Sequence, residues 1–281
     1  GSTPFSSGLC SSTSDMAVTA AERCLAVCDV PRNEIDLLVL ATLSPDYLLP
    51  ATAPTVQDRL GLNCAAMDVG AACAGFMYAF VTGMQFVATG ASKYALVIGS
   101  DTNSRVMNPA DKKTYPLFGD GAGAVVITKG SAEQGLLAYT LGADGSGDRL
   151  LVRPDGGSRT PLAPAGKISS GWFVKMEGRP VFKWAVRLIE DSSTQVLQAA
   201  GFSNDDVKLW VLHQANIRIL DAATDAMKID RSRVVSHLDR YGNTSAGSVP
   251  IALDESLREG RFARNDLLLM CGFGGGLSWG T

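Results

Sequence analysis

The sequence predicts an α/β fold with five layers, αβαβα, built from two duplicated halves. Three observations support this prediction: apolar runs alternate with helical patterns, two long helical segments carry almost no charge, and the same order of elements occurs twice. Continuous apolar strands between helices are typical of parallel or mixed sheets that are covered on both faces.

The first half contains two helix–strand pairs. Helical patterns at 15–28 and 74–90 each precede an apolar run, at 36–42 and 94–99 respectively. Runs of this length without polar interruption predict buried strands, because both faces of such a strand must be covered.

The segment 69–92 carries no charge over 24 residues. A membrane-spanning helix is one interpretation. Four glycines and several polar residues argue against it, as does the division of the segment between strand, turn and helix. A helix that is apolar on all sides can instead be buried inside a large protein. We therefore expect a buried helix and no membrane partner.

The second half repeats the order of the first. The run 209–212 resembles 37–40, and the run 268–270 resembles 96–98, each at an offset of 172 residues (209 − 37 and 268 − 96). Two strand pairs at one offset indicate an internal duplication.

The duplication predicts how the layers are arranged. Two helices without charge need covering on all sides, so we expect them packed together between two sheets, with amphipathic helices outside. The predicted boundaries are 1–130 for the first half, 131–175 for connecting loops rich in Gly, Pro and Ser, and 176–281 for the second half. The halves are expected to form one compact unit.

Composition narrows the class of protein. Hydrophobic residues make up 46% and charged residues 19%, as in globular proteins, and a net charge of −3 gives no reason to expect nucleic acid as a partner. We expect the six cysteines to be free thiols in a reducing cytosol, so a cytoplasmic location is predicted. Cysteine and histidine spacings typical of a metal site are not found in the sequence.

Cys73 lies where a short apolar strand turns into the uncharged helix. The N-terminus of a helix concentrates unpaired N–H groups and the positive end of the helix dipole, and both stabilise a thiolate. We therefore expect Cys73 to be a nucleophile at neutral pH.

Two polar segments are candidates to assist Cys73. His213 ends a strand pattern, where α/β proteins place functional side chains, and we expect the other histidine, His237, to be structural or on the surface. Asn243 alone is typical of a turn or a helix cap. Adding 172 to Cys73 gives 245, two residues from Asn243, and this relation favours a functional role. We predict one site for acyl transfer through thioesters.

Five ordered segments resemble the beta-ketoacyl-[acyl-carrier-protein] synthase III family, condensing enzymes of the thiolase superfamily. They are DVGAACAGF around Cys73, FGDGAGA at 118–124, HQANIRI at 213–219, GNTSAGSVP at 242–250 and GFGGGLSWG at 272–280. The resemblance covers nearly the whole chain and implies a thiolase-like five-layer fold. The first strand of the family has no counterpart before Thr3.

The resemblance also implies catalytic roles. Cys73 corresponds to the nucleophile that accepts the acyl group. His213 and Asn243 correspond to the pair that holds the malonyl thioester carbonyl during decarboxylation, and Gly275 to an oxyanion-hole donor beside the Cys73 N–H.

Six further residues are implied to contact the substrate. Phe118 and Phe273 correspond to pocket and gating aromatics. Asn216, Arg218 and Lys183 correspond to residues of the pantetheine tunnel or its basic mouth. Leu49 occupies a position where an aromatic often closes the acyl pocket across a dimer.

The implied activity is the decarboxylative Claisen condensation of an acyl-CoA primer, such as acetyl-CoA, with malonyl-acyl carrier protein. This reaction initiates fatty acid synthesis and proceeds through an acyl-cysteine. The resemblance implies a homodimer whose partners are the acyl-CoA and the malonyl-acyl carrier protein. Loss of carbon dioxide drives the reaction, so no metal or redox cofactor is expected.

Three alternatives remain open at this point. One is a related condensing enzyme that makes a polyketide, a quinolone or a long-chain ketone. Another is a cysteine hydrolase: the spacing of 140 residues (213 − 73) allows it, but the segment around Cys73 lacks the C-G-S-C-[WY] signature. The third is a carrier-protein binder without catalytic activity.

Overall fold

The computed structural model describes residues 11–131, 134–161 and 169–281. Within these ranges the helices are α1 (Thr13–Val27), α2 (Thr52–Arg59), α3 (Gly75–Ala88), α4 (Gly178–Ala200), α5 (Ile217–Ala226), α6 (Leu238–Tyr241) and α7 (Ser248–Arg258). The strands are β1 (Leu37–Ala41), β2 (Ala65–Val69), β3 (Tyr94–Asp101), β4 (Gly121–Thr128), β5 (Leu141–Ala143), β6 (Leu151–Val152), β7 (Lys175–Met176), β8 (Leu209–Leu212), β9 (Leu268–Gly274) and β10 (Ser278–Gly280).

Two four-stranded sheets form the framework. The first has the order β2-β1-β3-β4, with β1 parallel to both neighbours and β4 antiparallel to β3. The second has the order β5-β10-β9-β8, with β8 parallel to β9 and β10 antiparallel to β9 and β5. The strands β6 and β7 form a separate antiparallel pair. The strand β5 lies within the predicted connecting segment 131–175 and joins the second sheet. The predicted domain boundaries stay a prediction.

Alternate side chains of the first sheet pack into different layers. Leu38 and Leu40 of β1 belong to a cluster with α1 and α2. Leu37 and Val39 belong to a central cluster with α3 and α7. Successive side chains of a strand point to opposite faces, so this alternation separates an outer helical layer from a central one.

The second sheet shows the same alternation. Leu209 and Val211 of β8 join the central cluster, whereas Trp210 and Leu212 pack with α4 and α5 on the other face. The layers are therefore α1/α2, first sheet, α3/α7, second sheet and α4/α5, which confirms the five-layer prediction. The uncharged helix α3 is in the central layer. Among the described residues, no helix has the length and apolar character that crossing a membrane requires.

The duplication is confirmed, but its offset changes by one residue along the chain. Leu37 pairs with Ala95 in the first sheet, and Leu209 pairs with Leu268 in the second. Leu209 corresponds to Leu37 at an offset of 172 residues, so their pairing partners Leu268 and Ala95 also correspond to each other, at an offset of 173 (268 − 95). Leu268 therefore does not correspond to Leu96. The prediction for this strand was wrong by one residue, because an apolar run alone does not determine which face each side chain takes.

Local signals define the ends of the outer helices. Ser12 caps α1 through a capping box, in which its side chain accepts the Asp15 N–H and its own N–H donates to the Asp15 carboxylate. The helix α4 ends at Gly201, whose φ of 78° is readily adopted by glycine. The five cysteines of the described chain are free thiols; Cys10 lies outside it.

Candidate active site

Cys73 lies in a 3₁₀ turn, Ala72–Ala74, that leads directly into α3. The turn begins with Ala72 in the left-handed region at φ 46°, and Cys73 is 5% exposed. Gly274 of β9 lies against it: a Cβ on Gly274 would be 2.7 Å from the Cys73 nitrogen. Only glycine allows so close an approach between the two backbones.

The pKa of Cys73 departs from the expectation based on its helix terminus. Burial raises the pKa of the thiol to about 12; a hydrogen bond from Ser245 opposes this shift, and the negative charge of Asp101 contributes to it. Loss of hydration outweighs the favourable donors around the sulfur, so the resting group is a thiol. The role of Cys73 as the nucleophile stays a prediction.

Asn243 is held by its backbone beside Phe118. The Asn243 N–H donates to the Leu117 carbonyl at 2.8 Å, and its carbonyl accepts the Gly119 N–H at 3.0 Å. The side-chain Oδ1 accepts the Ser245 N–H at 2.8 Å, which is a turn-capping contact. Because Oδ1 is engaged, the Nδ2 amide is the part of the side chain that can donate to a substrate.

The Asn243 segment contacts the sulfur through Ser245. The Ser245 hydroxyl donates to the Cys73 Sγ at 3.3 Å, across 172 positions in the chain. Ser245 was not among the predicted site residues, although adding 172 to Cys73 leads to this residue. The duplication was therefore a signal that could have found it.

His213 follows β8, as predicted, and its N–H donates to the Cys271 carbonyl at 2.7 Å. Its Nδ1 shares a hydrogen bond of 2.6 Å with the Ser248 hydroxyl, and its ring meets the edge of Phe273 at 5.1 Å between centroids. Burial lowers the pKa of His213 to about 3, with a smaller contribution from His237, so the imidazole is neutral.

One short segment and one strand connect the three predicted residues. Ser245 contacts Cys73, and Ser248, three positions later, contacts His213. On the other side, Phe273 lies on His213 and its neighbour Gly274 lies on Cys73. The structure thus brings residues from three distant segments to one buried centre between the sheets.

His237 is buried and lies beside the site. Its Nε2 donates to the Ser248 carbonyl at 3.2 Å, so both histidines contact the same serine. Its ring also packs edge-on against Tyr241. Burial lowers the pKa of His237, and the surface alternative for this residue is excluded.

Asp101, at the end of β3, is a buried carboxylate below the two loops. Its Oδ1 accepts hydrogen bonds from Thr42, from the Leu43 N–H, and from both the N–H and the hydroxyl of Ser44. Its Oδ2 accepts the Ala246 N–H at 3.0 Å. Burial raises the pKa of Asp101, and hydrogen bonds from the Ala246 and Leu43 N–H groups and from the Ser245 and Ser44 side chains oppose that shift. Sequence reasoning missed this residue, because nothing in a strand-end aspartate indicates its distant partners.

The predicted oxyanion donor, Gly275, follows the glycine that touches Cys73. Gly274 makes the close approach, whereas a Cβ on Gly275 would be 3.0 Å from the Leu151 carbonyl. The Gly275 N–H belongs to the peptide bond that joins Gly275 to Gly274, the residue packed on Cys73. The role of Gly275 as an oxyanion donor stays a prediction.

Two of the six predicted substrate residues lie next to the site. Phe118 pairs with Asn243 and lines a cleft of about 250 Å³, together with Asn103 and Met107. Phe273 is buried between His213 and Trp184.

The other predicted substrate residues are farther out. Asn216 caps α5, because its side chain accepts the Ile219 N–H at 3.1 Å. Arg218, in the first turn of α5, and Lys183, on α4, are exposed. Leu49 is 87% exposed. Within the described ranges, no group of three or more His, Cys, Asp or Glu side chains is arranged to hold a metal ion.

Comparison with known proteins decides the family. The model for 3-oxoacyl-[acyl-carrier-protein (ACP)] synthase III matches residues 67–145, and the model for its C terminal region matches 197–281. The chain is 49% identical to a beta-ketoacyl-[acyl-carrier-protein] synthase III of Rhodopirellula baltica, covering 96% of this chain and 83% of that protein. The chain belongs to the beta-ketoacyl-[acyl-carrier-protein] synthase III family. It is therefore an acyltransferase of the condensing-enzyme type.

Solved structures of synthase III enzymes agree with this assignment. The synthase III of Thermus thermophilus has a TM-score of 0.89 and 38% identity, covering 96% of this chain and 83% of that chain. The priming beta-ketosynthase of the R1128 polyketide pathway has a TM-score of 0.85 and 32% identity, covering 96% and 80%. The recognition of the family and of its thiolase-like fold from the sequence is confirmed.

Proposed function

We propose that this synthase III condenses an acyl-CoA primer with malonyl-acyl carrier protein, using Cys73, His213 and Asn243 as catalytic residues. The observation that supports this most is the hydrogen bond of Ser245 to the Cys73 sulfur, because it joins the Asn243 segment to the nucleophile at the buried centre. The contact of Ser248 with His213 joins the third residue to the same segment.

The first step is acyl transfer to Cys73. The sulfur attacks the thioester carbonyl of the primer, the bond to the CoA sulfur breaks, and CoA departs with the thiol proton. One thioester replaces another, so the reactivity of the acyl group is preserved. Because burial raises the pKa of Cys73 to about 12, the proton must leave as the sulfur attacks.

The second step is decarboxylation of the malonyl thioester. Loss of carbon dioxide leaves enolate charge on the thioester oxygen, and two donors can stabilise it: Nε2–H of His213 and Nδ2–H of Asn243. The neutral His213 carries one ring proton, so Nε2 can donate only if Nδ1 accepts the Ser248 hydroxyl. Removing one such donor typically costs on the order of 10²–10³ in rate.

The carbanion then attacks the acyl carbon on Cys73, forms the new carbon–carbon bond and releases the sulfur. No cofactor takes part in this proposal, since decarboxylation supplies the driving force. The exposed cations Lys183 and Arg218 are proposed to meet the CoA phosphates or an acidic carrier protein, which attract opposite charge.

A homodimer is part of the proposal. Tyr47, Leu48 and Leu49 form an exposed apolar segment, and Leu49 is 87% exposed. Exposed apolar segments of this kind favour a protein interface. We propose that Leu49 of one subunit lies against the acyl pocket of the other, which would make primer choice depend on the assembly.

A related condensing enzyme remains the second candidate. The likeness to a priming beta-ketosynthase of a polyketide pathway favours it, because that protein shares 32% identity and the same fold. No observation favours a cysteine hydrolase once the family is assigned.

The test is a condensation assay with purified protein. Acetyl-CoA and malonyl-acyl carrier protein should give a 3-oxoacyl-carrier protein with release of one carbon dioxide per product. Malonyl-CoA in place of the carrier-bound substrate separates the candidates, because a fatty acid initiator should prefer the carrier protein. Absence of condensation with either extender, while the chain is folded, would remove the proposal.

A further inference from the structure

We propose that Ser245 is a further catalytic residue, whose hydroxyl stabilises negative charge on the Cys73 sulfur when that sulfur attacks and when it leaves. This inference rests on the proposed function. It is carried by the direct contact between Ser245 Oγ and Cys73 Sγ, at 3.3 Å, and by the arrangement that holds Ser245 in place.

The surroundings of the sulfur explain why a donor is needed there. Cys73 is buried, and the negative charge of Asp101 opposes a thiolate there. Asp101 forms no ion pair with any residue of the described chain. His213 is neutral, and its Nδ1 is engaged by Ser248. A hydroxyl that donates to sulfur therefore offsets part of an unfavourable environment.

Ser245 is fixed on both sides. Its own N–H donates to Asn243 Oδ1 at 2.8 Å, and the next N–H, of Ala246, donates to Asp101 Oδ2 at 3.0 Å. Ser245 has a φ of 53°, in the left-handed region that costs a non-glycine residue roughly 1–2 kcal/mol. Strain of this kind persists where surrounding contacts determine the backbone, often at functional sites.

The duplicated halves make the same turn but use it differently. Ala72 (φ 46°) and Ser245 (φ 53°) each begin a 3₁₀ turn that leads into a central helix, at an offset of 173 (245 − 72). In the first half this turn presents the nucleophile one residue later. In the second half the left-handed residue itself carries a hydroxyl and points it at that nucleophile.

The sulfur carries negative charge at two points in the reaction. In acyl transfer, an electron pair of the Cys73 sulfur forms the bond to the acyl carbon. The electron pair of the broken carbon–sulfur bond leaves with the CoA sulfur, which also takes the Cys73 proton. In condensation, the carbanion pair forms the carbon–carbon bond and the pair of the Cys73–acyl bond returns to Cys73 Sγ. A hydroxyl binds a thiolate more strongly than a thioester sulfur, so Ser245 stabilises the charged states selectively.

The test compares two variants, Ser245→Ala and Ser245→Gly. Both remove the hydroxyl, and glycine also removes the left-handed strain, so a loss shared by both is due to the hydroxyl. Ser193→Ala is the matched control, because Ser193 is a buried serine on α4 whose hydroxyl has no partner within the described chain. Circular dichroism checks the fold of each protein.

Alkylation of Cys73 by iodoacetamide and acylation by acetyl-CoA are the two readouts. Between about pH 7 and 9, both Ser245 variants should alkylate about tenfold or more slowly than wild type at every pH, since a hydrogen bond to a charged group is lost. Asp101 is the titratable group whose charge acts on the sulfur, so rates are compared at each pH and not only at one. For acylation, kcat should fall and KM should not change.

Each result decides one of the two proposals. Wild-type rates in a folded Ser245→Ala or Ser245→Gly variant would overturn the role of Ser245, and acylation of the wild type would still support the proposed function. Failure of the wild type to accept an acetyl group, with alkylation still dependent on Ser245, would instead remove the proposed function.

Discussion

Asp101 Oδ2 accepts the N–H of Ala246 at 3.0 Å across 145 positions in the chain. Its other oxygen binds the loop that follows β1, through Thr42, Leu43 and Ser44. One buried carboxylate therefore ties the two halves together beside the segment that contacts Cys73. Because Ala246 follows Ser245, the position of the sulfur contact depends on Asp101.

Replacing Asp101 tests this connection. In Asp101→Asn one acceptor becomes an NH₂ group, and four donors already face the other oxygen. The amide would then face the Ala246 N–H, donor against donor. We expect unfolding in urea to show a loss of about 1–3 kcal/mol. The exposed Asp239→Asn should be near neutral. Equal stability of Asp101→Asn and wild type would contradict the connecting role.

Gly274→Ala tests the close approach behind the nucleophile. The new Cβ would lie 2.7 Å from the Cys73 nitrogen and 2.9 Å from its Cβ, so the backbone must shift. We expect acylation by acetyl-CoA to fall by about tenfold or more, because small displacements at a reacting centre are costly. Gly178→Ala, in the first turn of α4 with open space around it, is the control. Normal acylation of Gly274→Ala would show that this contact is unimportant.

Ser248→Ala tests the tautomer of His213. Without the hydroxyl on Nδ1, nothing on that side favours the proton at Nε2, which the decarboxylation step needs. We expect malonyl decarboxylation to slow by about tenfold or more, while acyl transfer to Cys73 keeps nearly its normal rate. The two half-reactions are measured separately, by release of carbon dioxide and by mass spectrometry. A variant that slows both equally would indicate a structural role instead.

The low pKa of His213 predicts sensitivity to acid. Its pKa is about 3 in the folded protein against 6.5 ordinarily, so the unfolded chain binds more protons between these values. Stability contributed by neutral His213 is present above pH 6.5 and is lost as the pH falls below it, by up to about 1.4 kcal/mol per pH unit.

The buried His237, whose pKa is also lowered, should add to this slope. Urea unfolding at about pH 6.5 and about pH 5 measures it, and His213→Gln should lose less stability over that interval than wild type. Identical losses in the two proteins would mean that His213 is not the neutral buried group described above.

The layers could be predicted from the sequence because burial leaves a strong pattern. The uncharged helix α3 and the apolar strands β1 and β8 follow from which residues must avoid water. The exact offset of the second strand pair did not follow, because apolar runs such as 268–270 are compatible with either neighbouring register.

The site could be predicted only in part. Cys73, His213 and Asn243 stand out by motif and by position at the ends of elements. Asp101 does not, since its contact with Ala246 crosses 145 positions and leaves no local signal. Ser245 is indicated only by the duplication offset of 172. The raised pKa of Cys73 could not be predicted for a related reason: its helix terminus is visible in the sequence, whereas its burial between two sheets is not.

The location of the acyl group after reaction with acetyl-CoA tests most directly whether Cys73 is the nucleophile. The protein is incubated with acetyl-CoA, quenched in acid, and analysed by intact mass and peptide mapping. We predict one acetyl group, on the peptide that contains Cys73, in wild type and in His213→Ala and Asn243→Ala, and none in Cys73→Ala. A folded wild-type protein without an adduct, or an adduct that persists in Cys73→Ala, would contradict the account.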